Sequence, residues 1–273
     1  KAMKMVSAAK LKRATDRVVA ARPFANKMVQ VLDDLAARTG DDFSHPLLDS
    51  RGDERYLLVL VTADKGLCGG FNTNLIKAAS AFVRDNTGKQ IEILPVGRKG
   101  RDFFRRRGFT MAGEYLGITG KGQVVFSEAA EIAHDVVKTF TDDEKIDKVF
   151  LIYNEFKTVL QQKVVTEQIL PVTHTAVDDE AAAVAETKVD YLYEQPAAEM
   201  FGELLPRLIE TRIFRALLES VASEQGSRMT AMDSATKNAG ELISSLTLNM
   251  NRIRQAKITN EIIEVVSGAA AAV

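Results

Sequence analysis

Tryptophan is absent from the 273 residues, and cysteine occurs once, at Cys68. A single thiol excludes an internal disulfide framework and any multi-cysteine metal site, and a reducing compartment is expected. The three histidines, His45, His134 and His174, stand far apart, without metal-ligand spacing. No GxSxG elbow and no HExxH pair is present. The longest apolar runs, residues 56–63 and the tail 265–273 broken by Ser267 and Gly268, fall short of the ~20 residues a membrane span needs. An excess of one charge is lacking too: 36 Lys and Arg against 37 Asp and Glu leave −1, so no global field recruits nucleic acid or anionic lipid. With 46% hydrophobic residues, the chain is not disordered as a whole.

What is present is patterned. Local charge is uneven: residues 1–27 hold eight Lys and Arg against Asp16, and residues 171–200 hold seven acids against one Lys. Apolar residues recur at Leu11, Ala14, Val18, Ala21, Ala25, Met28, Leu32 and Leu35. The alternating steps of three and four are the rhythm of a helix that packs on another helix. Pro23 lies inside it and is expected to kink it or to cost one hydrogen bond. The opening residues read as the interior of this helix, so further residues are expected ahead of Lys1.

The period then changes. Residues 55–63 form a continuous aliphatic run, as in a strand buried on both faces. Further strands are expected at 90–96, 108–116, 146–153 and 163–172, and helices near 72–84, 97–107 and 123–139. Strand alternating with helix predicts a mostly parallel, Rossmann-like α/β sheet. Residues 177–189, acidic and Ala-rich, read as an exposed link. From Pro206 to residue 266 no proline intervenes, and one helix of about 90 Å fits there. Its apolar steps from Leu218 to Ile263 are interrupted by Gln225, Arg228, Asn249 and Asn260. An antiparallel coiled coil of the two terminal helices is expected, with both termini near one distal tip. The expected divisions are 1–53, N-terminal helix and connector; 54–190, α/β domain; and 191–273, foot and long C-terminal helix.

Several segments resemble chemistry-bearing motifs without completing one. The loop Asp64-Lys65-Gly66-Leu67-Cys68-Gly69-Gly70 joins a strand to a helix, where phosphates bind in other proteins. It matches neither GxxxxGK[ST] nor GxGxxG, and a tight turn is the plainer reading. Gly117-Ile118-Thr119-Gly120-Lys121-Gly122 reads as a flexible loop. Arg98, Lys99, Arg101, Arg105, Arg106 and Arg107 form a basic cluster, either a solvated face or a dock for an acidic partner.

Four stretches carry a more specific signal. Lys1-Ala2-Met3-Lys4-Met5-Val6-Ser7-Ala8-Ala9-Lys10, the loop from Asp64 to Asn72, Ser223-Glu224-Gln225-Gly226-Ser227-Arg228-Met229-Thr230-Ala231-Met232, and Arg254-Gln255-Ala256-Lys257-Ile258-Thr259-Asn260-Glu261-Ile262 closely resemble, in order, the motifs of the γ subunit of F-type ATP synthases. Gly226 stands where that family's pattern has Ala. The resemblance implies a proton-driven rotor shaft that turns inside a ring of α and β subunits and changes the conformations of the catalytic β sites. It implies an ε subunit and a membrane ring of c subunits as further partners. It implies no catalytic residue, cofactor or metal in this chain. By the same resemblance, Arg254, Gln255, Thr259 and Glu261 meet the surrounding α and β subunits. Met3 and Lys4 face the β lever region. Tyr191, Tyr193 and Glu194 form a foot near the c-ring. Cys68 alone lacks the cysteine pair of light-regulated chloroplast forms, so a bacterial chain is expected, peripheral on the cytoplasmic face of the plasma membrane, with the mitochondrial matrix side as the other location. The alternative function is a nucleotide-binding α/β enzyme with a helical oligomerisation arm, resting on the glycine loop. A coiled-coil nucleic-acid scaffold, resting on the basic first segment, is a third.

Overall fold

The computed structural model describes residues 2–39, 43–121, 123–142, 146–172 and 195–271. Helix α1 covers Ala2–Thr39. Strand β1 (Arg55–Val61), helix α2 (Phe71–Asp85), strand β2 (Gln90–Val96), helix α3 (Arg98–Arg105), helix α4 (Phe126–Asp142), and strands β3 (Lys148–Phe156) and β4 (Gln162–Leu170) follow. Helix α5, Ala197–Ala271, closes the chain. Its 75 residues make it about 110 Å long at the α-helical rise.

The sheet runs β2-β1-β3-β4. β1 is parallel to both neighbours, and β4 returns antiparallel to β3. β1 lies at the centre, and six of its seven residues are buried, as its unbroken aliphatic run requires. Residues 108–116 do not form the expected strand. They touch the β2 edge only through isolated bridges at Ile93–Met111 and Val96–Tyr115. Gly113 lies so close to β2 that a Cβ would stand 3.1 Å from Leu94 Cδ1, and Gly108 and Gly117 take positive φ, so the segment bends away from a regular ladder.

One face of the sheet carries α2 and α3 over a core of Leu58, Leu60, Leu75, Ile93, Phe104 and Ile152. The other face carries α1, α4 and the lower part of α5 over a larger core containing Leu57, Val59, Val136, Leu151, Leu205 and Leu217. Seven of the eight apolar positions anticipated on α1 belong to that core or pack against it, and the eighth, Ala25, is buried as well. The helix continues through Pro23, and α5 continues through Pro206.

α1 and α5 run antiparallel: Arg22 pairs with Glu219, and Lys4 with Asp233. Within the described residues the start of α1 and the end of α5 are not level. The α1 partnership reaches only the level of Asp233, and α5 runs on to Ala271, about 57 Å further at 1.5 Å per residue. Apolar periodicity persists along α5, and no other described helix covers those residues.

Candidate functional site

The loop after β1 is built around a carboxylate. Asp64 Oδ1 accepts from the backbone N–H of Arg98 (3.1 Å) and Gly117 (3.0 Å), and Oδ2 accepts from Gly120 N–H (3.0 Å) and the Thr119 hydroxyl (3.1 Å). This place, outside the carboxyl ends of parallel strands and at a helix start, is where open α/β sheets bind anionic ligands. Here a side chain of the protein takes the donors, and its negative charge repels phosphate. The glycine loop therefore serves the fold. Gly97 seals the same corner with φ 114°, where a Cβ would lie 2.1 Å from Thr62 O. Among the described residues, no group of three His, Cys, Asp or Glu could hold a metal ion.

The remainder of the loop packs on α5. Gly69 (φ 55°) sits so that a Cβ would meet Ala231 Cβ at 3.6 Å and Ser227 O at 3.7 Å. Arg228 donates to Gly66 O (3.3 Å) and pairs with Glu224 at 2.6 Å. Glu224 is 3% exposed, and its Oε2 meets no hydrogen-bond donor among the described residues. Burial pushes its carboxyl above the ordinary value, against the pull of Arg228. Burial also pushes the Cys68 thiol up, and Glu224 adds to it. Cys68 is itself covered, so it is a packed side chain. Two of the four motif stretches, 64–72 and 223–232, thus form one contact. Each is visible in the sequence separately, but nothing there joins them, since Gly66 and Arg228 stand 162 positions apart.

Above this collar α5 is bare. Residues 233–250 are all exposed, and exposure continues to 268 except at Asn251. The stretch carries Leu242, Ile243, Leu246, Leu248, Met250, Ile253, Ile258, Ile262, Ile263, Val265 and Val266, each about half exposed or more. They are not confined to one stripe. At 100° per residue, Leu242, Leu246 and Ile253 share one line, while Leu248 and Val266 project far round the helix from it. Apolar side chains thus project from every side, set among polar ones, and one partner helix cannot cover them all.

Of the residues singled out from sequence, Arg254, Gln255, Thr259 and Glu261 lie on this bare stretch, all exposed. The Thr259 hydroxyl donates to Gln255 O (2.9 Å), and Lys257 approaches Glu261 at 4.0 Å. Met3 and Lys4 are on α1 at the level of Asp233, about 30 Å below Arg254 along the axis. The structure does not bring the two groups together. Tyr191, Tyr193 and Glu194 lie outside the described residues. No described helix is long and apolar enough to cross a membrane.

Fold and surface define a class: an α/β head clamped to one long helix, whose upper part exposes apolar side chains that no described residue covers. The ATP synthase family model matches residues 1–272. The ATP synthase gamma chain of Solibacter usitatus is 52% identical over 275 residues, covering 100% of this chain and 92% of that protein. That of Geotalea daltonii is 49% identical, covering 98% and 91%. The central stalk and c-ring structure of the Tetrahymena thermophila mitochondrial ATP synthase contains a chain with TM-score 0.65 and 30% identity, covering 86% of this chain and 98% of that one. A chain of the Euglena gracilis mitochondrial enzyme shares the fold, with TM-score 0.61 at 18% identity, covering 98% and 94%. The chain belongs to the ATP synthase gamma chain family.

Proposed function

We propose that the chain is the central rotor shaft of an F-type ATP synthase, without an active site of its own, linking proton-driven rotation of a c-ring to the conformations of catalytic β subunits. The observation that carries this reading is the upper half of α5. One-sided pairing needs one apolar stripe, whereas apolar side chains project from every side of this helix, among polar ones, as suits enclosure by a ring of subunits. A lone shaft in a three-fold ring cannot contact all three β subunits alike. Each site then feels a different bias, which is what coupling between sites requires.

In this reading Arg254, Gln255, Thr259 and Glu261 meet the α and β subunits inside the ring, and Met3 and Lys4 meet β lower down, at its entrance. The basic first segment complements acidic segments of β. Tyr191, Tyr193 and Glu194 approach the c-ring, and an ε subunit completes the stalk. The divisions 1–53, 54–190 and 191–273 separate helix, head, and foot with shaft. The complex sits on the cytoplasmic face of a bacterial plasma membrane.

The test is cysteine accessibility, in a Cys68→Ala background, at Leu242, Leu248, Ile253 and Ile258. Assembly with α and β subunits is expected to protect all four positions and to yield ATPase activity. Protection of one line only would mean a one-sided coiled coil and would overturn the enclosed shaft.

A further inference from the structure

Helix α5 crosses the sheet with an unusual run: Glu219, Ser220, Ser223, Glu224 and Gln225 are all at most 4% exposed. Buried polar groups need partners, and most of these find theirs at one place. β1 pairs with β3 only along Tyr56–Leu60 and Lys148–Ile152, yet β3 continues to Phe156. Beyond Ile152, β4 still pairs on one side, and on the other side no described strand follows. The backbone groups of Asn154 and Phe156 on that open edge are taken by side chains instead. Asn154 N–H donates to Ser220 Oγ (3.3 Å), and Asn154 O accepts from Ser223 Oγ (3.2 Å). Phe156 N–H donates to Glu219 Oε2 (2.9 Å), and Phe156 O accepts from Arg22 (3.0 Å). The same Arg22 guanidinium holds Glu219 Oε1 at 3.0 Å. Two turns on, the Ser227 hydroxyl donates to Gln162 Oε1 of β4 (2.7 Å).

The helix thus stands in for a missing strand, by side chain to backbone. Apolar packing is non-directional and fixes mainly how close two elements lie. Hydrogen bonds weaken steeply off-line and fix angle as well. Placed at the rim of a helix, they oppose its turning about its own axis.

We propose that Glu219, Ser220 and Ser223, with Arg22, form a torsional key: a joint that locks α5 against rotation relative to the sheet, so that torque passes between head and shaft. The key rests on the rotor reading. It makes these four residues positioning residues for energy transfer, remote from any reacting atom.

The experiment measures the angular spread of a probe on the exposed face of α3 while the assembled α/β complex, held by its β subunits, pauses in ATP-driven rotation. Wild type is compared with S220A/S223A and with V221A, which shortens a buried apolar side chain on the same helix stretch. The double variant frees two of the four clasped backbone groups, so its angular variance is expected to rise roughly twofold. V221A is expected to match wild type even where its thermal midpoint is lowered as much. Equal spread for the double variant and wild type overturns the key, as does equal widening by V221A. Should S220A/S223A fail to assemble, S223A alone serves the same comparison. A wild-type complex that hydrolyses ATP without turning overturns the rotor reading instead, so the two failures are distinct.

Discussion

At Gly226 a Cβ would find Gln162 Nε2 and Phe156 Cε2 at 3.5 Å and Val159 O at 3.6 Å, which is ordinary contact. Glycine in a helix interior costs about 1 kcal/mol relative to alanine. Gly226→Ala is therefore expected to stabilise the protein by about 0.5–1 kcal/mol, read as a higher urea midpoint. Gly97 is the opposite case. With φ 114° and 2.1 Å from the added Cβ to Thr62 O, Gly97→Ala should cost about 3 kcal/mol or more, visible as loss of the cooperative transition or a much lower midpoint. Glu224 makes a pH prediction. Its carboxyl is raised in the folded state above the ordinary value of 4.5, so between those values the folded form holds a proton that the unfolded form has lost. Stability is then fully present below 4.5 and declines as pH rises through the folded value. Glu224→Gln should flatten that decline in urea titrations across the acidic range; an unchanged slope would show that Glu224 is not its source.

The elements differ in how plainly the sequence announces them. β1 stands out because the unbroken apolar run Tyr56–Val61 suits only a sheet interior, whereas β2, an edge strand, carries Gln90 and Glu92 before its buried end. The α1 seam is legible because its eight apolar positions all face one way. Residues 108–116 misled because Phe109, Met111, Tyr115 and Leu116 look strand-like, whereas Gly108, Gly113 and Gly117 set the backbone. The extent of helix pairing was not legible: periodicity records which residues want cover, not which chain supplies it. Nor was the joint at Glu219, Ser220 and Ser223, whose pattern is that of any solvated helix face until β3 is seen to outrun β1. The Asp64 corner escaped for a similar reason, since its partners Arg98, Gly117 and Gly120 are backbone donors that carry no side-chain signature. From Arg254 onward α5 is exposed. Truncation before Arg254 is thus expected to change the unfolding free energy of the head by no more than about 0.5 kcal/mol, measured by urea denaturation, while weakening function in the complex. Unfolding of the head on truncation would mean that the shaft is not a separate protrusion.

On the scale of the molecule, the fold has two parts with opposite demands. The head satisfies itself: two cores flank one sheet, and the anion position at its strand ends is filled by Asp64. The shaft does not: its upper half leaves eleven large apolar side chains in water, each worth about 1.5–3 kcal/mol when buried. In the rotor proposal such a surface is covered by neighbours, and its all-round distribution suits neighbours on more than one side. Between the two lies the collar of Gly66, Gly69, Arg228 and the β3 edge, where directional bonds replace apolar packing. The function depends on the shaft turning inside its neighbours. The direct measurement fixes the β subunits of the reconstituted complex to a surface, attaches a visible probe to the exposed face of α3, and supplies ATP. Sustained rotation of the probe in one direction is the result expected; a complex that assembles and hydrolyses ATP while the probe stays still would contradict it.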